Sequence, residues 1–159
     1  MKEKQIEAIK AALTAAIYVV LCAIFQPISF GPIQFRISEA LCLLSIDHKW
    51  GLWGVILGCF ISNTFFGGLG LADMIFGTLA TAIGCGLAYL FSKRRINGYP
   101  LLSTIMIVVT NALIIGIELG FLLDTPSLIW LYILQVGLGE LVVLLAALPF
   151  YKRLSSLIN

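Results

Sequence analysis

The sequence predicts an all-α integral membrane protein, a six-transmembrane-helix bundle with both termini in the cytoplasm. Three observations carry that expectation. The chain is 60% apolar and only 11% charged, with a mean hydropathy of +1.05. Its 159 residues contain six apolar segments, and its lysines and arginines are unevenly distributed among the connections. A water-facing domain carries about 45–50% apolar and about 25% charged residues, so this chain lacks the polar surface of a soluble fold. The same composition excludes disorder, and a net charge of +2 gives no basic field for nucleic acid. At about 20 residues per crossing, the length suits about six spans in one domain, 1–159, with no extramembrane unit large enough for its own core.

Span one covers approximately 6–25 and is closed by Gln26-Pro27, since proline breaks the helical ladder. Met1, Lys2 and Lys4 in front give it the look of a signal peptide, but no A-x-A-like cleavage site follows and further spans do, so it is expected to be retained. Span two, 36–46, is short for a full crossing. Span three, 50–66, ends in Gly67-Gly68-Leu69-Gly70, a composition that favours a loop. Span four, 71–91, stops before Lys93-Arg94-Arg95; span five, 101–123, follows Asn97-Gly98-Tyr99-Pro100; span six, 127–151, follows Asp124-Thr125-Pro126. Cytoplasmic loops collect lysine and arginine. With both termini inside, Lys2, Lys4, Lys10, Lys49, Lys93, Arg94, Arg95, Lys152 and Arg153 all fall on the inner side and only Arg36 lies outside. The six-span count and the orientation therefore support one another, and a multi-pass protein of the cell membrane is expected.

Helices in lipid associate through small residues that let backbones approach. Gly54, Gly58 and Ser62 in span three and Ala80, Gly84 and Ala88 in span four follow that spacing and are expected to pack internally. Ala8, Ala11, Ala12, Ala15 and Ala16 form a stripe on span one, suited either to internal packing or to docking a partner helix. Charges within spans are retained at a cost of at least about 2.5–3.5 kcal/mol. Glu118 and Asn111 share a face of span five, and Glu140 lies deep in span six near Gln135, with Trp130 and Tyr132 towards its outer end. Two acids, two amides and aromatics on the last two helices describe an outward-opening polar pocket. Asp73 is either a helix cap or a pocket residue. Arg36 and Glu39 have the spacing of a helical ion pair, and Asn63 that of an interhelical hydrogen bond. The cysteines, Cys22, Cys42, Cys59 and Cys85, sit in apolar runs without metal-site spacing and are read as core residues. No phosphate-binding loop, serine-hydrolase elbow or zinc-protease motif occurs, so neither catalysis nor a metal or cofactor is expected.

The segment Ser29-Phe30-Gly31-Pro32-Ile33-Gln34-Phe35-Arg36-Ile37-Ser38-Glu39-Ala40-Leu41, followed by Gly54-x-x-x-Gly58-Cys59-Phe60-Ile61-Ser62-Asn63 and Asp73-x-x-Phe76-Gly77-Thr78-Leu79-Ala80-Thr81, resembles the QueT family across roughly residues 8 to 84. Members are substrate-binding S components of energy-coupling factor (ECF) transporters. The resemblance implies a six-helix bundle of the ECF S-component type that captures a queuosine precursor, a 7-deazaguanine base such as 7-aminomethyl-7-deazaguanine. It implies delivery to a transmembrane coupling protein of the EcfT type with two ATPase subunits, and it makes the alanine stripe the docking face. Such a ligand suits the residues already found. A carboxylate, Glu140 or Glu118, accepts both N–H groups of a 2-aminopyrimidinone edge while the other acid pairs with an aminomethyl cation. Phe30, Trp130 or Tyr132 stacks on the ring, and Gln34 with the loop 26–36 closes over it. Asn111, Gln135, Arg36, Asn63 and Asp73 complete the candidate set. The residues alone leave open a different vitamin-like solute, a self-contained carrier or channel, and a scaffold.

Overall fold

The computed structural model describes residues 2–29 and 35–158, and the regular structure among them is helical apart from one isolated bridge, Ile96 to Tyr99. Helix α1 (Lys2–Ile24) starts four residues before the apolar run expected to form span one and ends just ahead of Pro27; α2 (Gln26–Ser29) is a single turn. A 3₁₀ helix (Ile37–Ser45) follows, then α3 (Lys49–Phe66), a π-helical turn (Asp73–Gly77) continuous with α4 (Thr78–Leu90), and α5 (Leu101–Leu122). A 3₁₀ turn (Pro126–Leu128) leads into α6 (Ile129–Ile158), which runs past the expected end at Tyr151 and contains Pro149.

The small residues set the directions of the passes. A methyl group at Gly54 would lie 2.7 Å from the Thr14 Cβ, and one at Gly58 would lie 2.7 Å from the Tyr18 Cβ. The residue offset is the same in both pairs, so α1 and α3 run parallel. The chain between them must therefore return along the bundle, and the 3₁₀ helix does so, from Ser38 beside Cys22 to Leu44 against Gly51. Span two is thus corrected from an α-helix to a 3₁₀ helix. Nine residues cover about 18 Å at the 3₁₀ rise of about 2 Å, against about 13–14 Å as an α-helix, so the tighter winding gains reach for a short segment. Ser38, Glu39, Cys42, Leu43 and Ser45 are buried. Enclosure by protein is the condition under which a less regular backbone is tolerated at membrane depth.

From α3 onward, helices consecutive in the chain are antiparallel. Thr81 reaches Cys59 across α4 and α3, and the Ser103 hydroxyl donates to the Ala88 carbonyl at 2.8 Å across α5 and α4. Gly116 and Gly120 of α5 meet Ile133 and Ile129 of α6 so closely that an added methyl would clash. The described chain therefore passes along the bundle six times in alternating directions. Four passes have the length and apolarity to cross a membrane: Lys2–Ile24, Asp73–Leu90, Leu101–Leu122 and Pro126–Arg153. Helix α3 has 18 residues, but Lys49, Asn63 and three glycines dilute its apolarity.

One end of the bundle is basic. There Arg95 pairs with Asp47 at 2.5 Å, the Tyr151 hydroxyl donates to Asp47, Lys10 lies over Trp50 and Lys152 lies over Tyr99. The opposite end carries Arg36, the glycine loop and the α5–α6 connection.

The small-residue motifs of α3 and α4 pack internally as expected, Gly84 against Ile107 and Thr110 of α5. All four cysteines are free and buried. The alanine stripe divides. Ala15 is buried and Ala11 half-buried against α3, whereas Ala8, Ala12 and Ala16 are exposed on the outside of α1.

Candidate substrate-binding site

The buried charges converge between the 3₁₀ helix, α5 and α6. A cavity there is lined by Arg36, Glu39, Asn111, Ile115, Val136 and Glu140. Each position follows from helical register. Arg36 and Glu39 lie three residues apart, one 3₁₀ turn; Asn111 and Ile115 lie four apart on α5, as do Val136 and Glu140 on α6. The cavity measures about 10 Å³, enough for about one water molecule. A bicyclic base is far larger, so occupation requires side chains or helices to move apart.

Within this site Glu39 is held on both oxygens. The Tyr18 hydroxyl donates to Oε1 at 2.5 Å and the Cys42 thiol to Oε2 at 2.8 Å. Glu140 accepts one longer bond, 3.4 Å, from the Asn111 amide. Arg36 is buried in electrostatic reach of Glu39, and Glu140 in reach of both. The lining thus offers carboxylate acceptors, an amide and one guanidinium. Such a set can accept N–H donors through its carboxylates and donate to a carbonyl through the amide or guanidinium, with the charged acceptors forming the stronger hydrogen bonds.

The other expected site residues scatter around this cavity. Glu118 lies one turn above Ile115 on the same face of α5, is 4% exposed, and neither carboxylate oxygen has a hydrogen-bond partner. Asp73 is buried at the start of the π-helical turn and accepts the Leu69 N–H at 2.8 Å. An acid in the first turn that accepts an N–H at the helix entrance, it fits the capping alternative and ties the glycine loop to the start of this pass. Asn63 is buried, donates to Cys59 of its own helix at 3.2 Å and fills the space above Gly77. That hydrogen bond stays within α3 and is not the interhelical one expected; across to the π-helical turn Asn63 makes a packing contact. Tyr132 shares a 3.1 Å hydrogen bond with Thr125, fixing the α5–α6 connection, and Gln135 is half-buried outside the cavity lining. Trp130 is 75% exposed on the outside of α6 and is not brought to the cavity. That is the geometry of an interfacial aromatic. Phe30 and Gln34 lie outside the described residues.

Glu39 and its donor Tyr18 are the members that sequence reasoning left out of the pocket. The available signal was a carboxylate inside the apolar run Ile37–Ile46, which the nearby Arg36 explained away as an ion pair.

A family model described as QueT transporter matches residues 8–156. The Queuosine precursor transporter QueT of Lactococcus lactis subsp. cremoris (strain MG1363) is 31% identical over 147 residues, covering 86% of this chain and 85% of that protein. No solved structure matches the chain. With the match extending over nearly the whole chain and through every helical pass, this protein belongs to the QueT transporter family.

Proposed function

We propose that this chain is the substrate-binding S component of an ATP-driven ECF importer. It captures a queuosine precursor of the 7-deazaguanine type outside the cell and delivers it to the cytoplasm with an EcfT-type coupling protein and two ATPase subunits. All six passes cross the cell membrane, and both termini are cytoplasmic. The observation that carries this reading is the buried cavity joining Arg36, Glu39, Asn111 and Glu140 in a member of a queuosine precursor transporter family. Glu140 accepts the paired N–H donors of the 2-aminopyrimidinone edge, and Arg36 or Asn111 donates to its carbonyl. Adenine, which presents a different edge, lacks that donor pair. Glu118, Asp73, Asn63 and Gln135 flank the path from the loop end, while Phe30, Gln34 and Tyr132 belong to the covering layer; Trp130 anchors α6 at the interface.

The basic end supports the orientation, since positive charge favours the cytoplasmic side. The exposed Ala8, Ala12 and Ala16 supply a smooth face on which the coupling protein's helices approach closely. The sequence carries no phosphate-binding loop, so ATP hydrolysis is assigned to the partner subunits. The test is a thermal-shift titration of the detergent-purified chain against 7-deazaguanine precursors, guanine, adenine, riboflavin and thiamine. A ligand at about a thousand times its Kd adds about 4 kcal/mol to the folded state. A rise in Tm with a deazaguanine alone is expected. A rise with another vitamin would replace the ligand, and no rise with any probe would overturn the reading.

A further inference from the structure

The basic end of the bundle is built unevenly. On α1 the charges almost balance, since Lys2, Lys4 and Lys10 are interleaved with Glu3 and Glu7. Across the bundle they do not. The α4–α5 connection supplies Lys93, Arg94 and Arg95, and the end of α6 supplies Lys152 and Arg153. These two runs are far apart in sequence, yet the Lys152 ammonium lies 4.5 Å from the centre of the Tyr99 ring and 3.5 Å from where a methyl group on Gly98 would stand. The connection that carries the first run is a fixed turn. Ile96 and Tyr99 exchange backbone hydrogen bonds of 2.9 and 3.0 Å around Asn97 and Gly98, which take the positive φ values, 53° and 81°, that a tight Asn-Gly turn requires. Asp47, the acid that meets this cluster, is engaged by Arg95 and Tyr151, while Lys93, Arg94 and Lys152 are exposed.

What adjoins these cations decides the kind of partner. Leu90 at the end of α4 is 73% exposed, Ile96 at the edge of the turn 61%, and Phe150, two residues before Lys152, 76%. The passes Asp73–Leu90 and Pro126–Arg153 are long and apolar enough to cross a membrane, and both end here. Cations and bare apolar side chains therefore stand together where hydrocarbon gives way to water. A free phosphate can use only the cations, whereas an amphiphile with an anionic head uses both. We propose that the face formed by the α4–α5 connection and the end of α6 binds the headgroup of an anionic phospholipid, with the acyl chains lying along Leu90 and Phe150. Arg94 is suited to paired hydrogen bonds with the phosphate oxygens, and Lys93 and Lys152 add the attraction of point charges. Bound there, the lipid ties the α4–α5 connection to α6. The inference does not depend on which solute the chain carries.

The experiment follows the Tm of the detergent-purified full chain as phosphatidylglycerol, phosphatidylcholine or inorganic phosphate is added. Phosphatidylglycerol should raise Tm, because a ligand of the folded state stabilises it, and phosphatidylcholine should not. The combined variant Lys93→Gln, Arg94→Gln and Lys152→Gln should melt near the wild type without lipid and lose most of the rise with it. An equal change of charge on α1, Lys2→Gln with Lys4→Gln and Lys10→Gln, should keep the rise. The same loss in both variants would overturn the site, since diffuse positive charge would then suffice. No rise with phosphatidylglycerol in the wild type would overturn it too. An equal rise with inorganic phosphate would overturn the lipid as occupant. So would a combined variant that responds to phosphatidylglycerol as the wild type does but no longer co-purifies with a co-expressed coupling protein, which would make this face a protein interface. Should the combined variant not fold, Arg94→Gln alone probes the same face, and an undiminished rise there overturns the proposal.

Discussion

Tyr18→Phe removes a single oxygen from the wall of the cavity. The ring stays packed beneath Gly58, but Glu39 Oε1 loses its donor. A buried acceptor stripped of its partner costs about 1–3 kcal/mol, so the variant should melt at a lower temperature in detergent, as circular dichroism will show. Glu140→Gln has the opposite profile. Glutamine keeps the shape and can still meet the Asn111 amide through its carbonyl, so the fold should persist. Affinity for a deazaguanine should fall at least tenfold, about 1.4 kcal/mol, because an amide cannot accept two donors as a carboxylate does. Calorimetric titration measures this, and unchanged affinity would remove Glu140 from the site. Arg36, Asn111 and Glu140 were legible in the sequence because a charged or amide side chain amid apolar residues needs a reason to be there. Trp130 was not. An aromatic near the end of a span reads the same whether it faces lipid or ligand, and only the phase of α6 decides.

Between elements, close approach is the structural currency. Gly58 admits the Tyr18 ring and the Ala15 carbonyl, and Gly58→Leu should push α1 off α3 at a cost of about 1–3 kcal/mol or more, read as a lowered Tm. At the basic end, Asp47 joins the turn after the 3₁₀ helix to α6 and to the α4–α5 connection through Tyr151 and Arg95. Burial alone would raise the Asp47 carboxyl, but hydrogen bonds from Tyr151 and Arg95 outweigh it and hold it below its ordinary 3.8. The contribution is therefore complete above that value and is lost as pH falls through the lower folded-state value. Melting curves from pH 7 to pH 3 should show a steeper acid loss for the wild type than for Asp47→Asn. The six segments and the glycine motifs were readable from hydropathy and four-residue spacing. The winding of the second segment was not, because periods of 3.0 and 3.6 diverge by little over nine residues. The alanine stripe divides for a related reason. Positions spaced by three and four spread across a broad arc of helix surface, wide enough for Ala15 to face α3 while Ala12 and Ala16 face outward.

For the molecule as a whole, that outward row separates stability from assembly. Replacing Ala12 and Ala16 together by phenylalanine adds bulk where no neighbour within the chain is touched, so Tm and ligand affinity should stay as in the wild type. Co-purification with a co-expressed coupling protein should be lost; intact association would relieve the row of its docking role. The narrowness of the polar cavity has a consequence for time as well as for space. For the proposed ligand, a site with room for about one water cannot admit a bicyclic base as it stands, and we expect the bundle to open before the base enters. Capture is then gated: as ligand concentration rises, the association rate levels off at the frequency of that opening, well below what diffusion would allow.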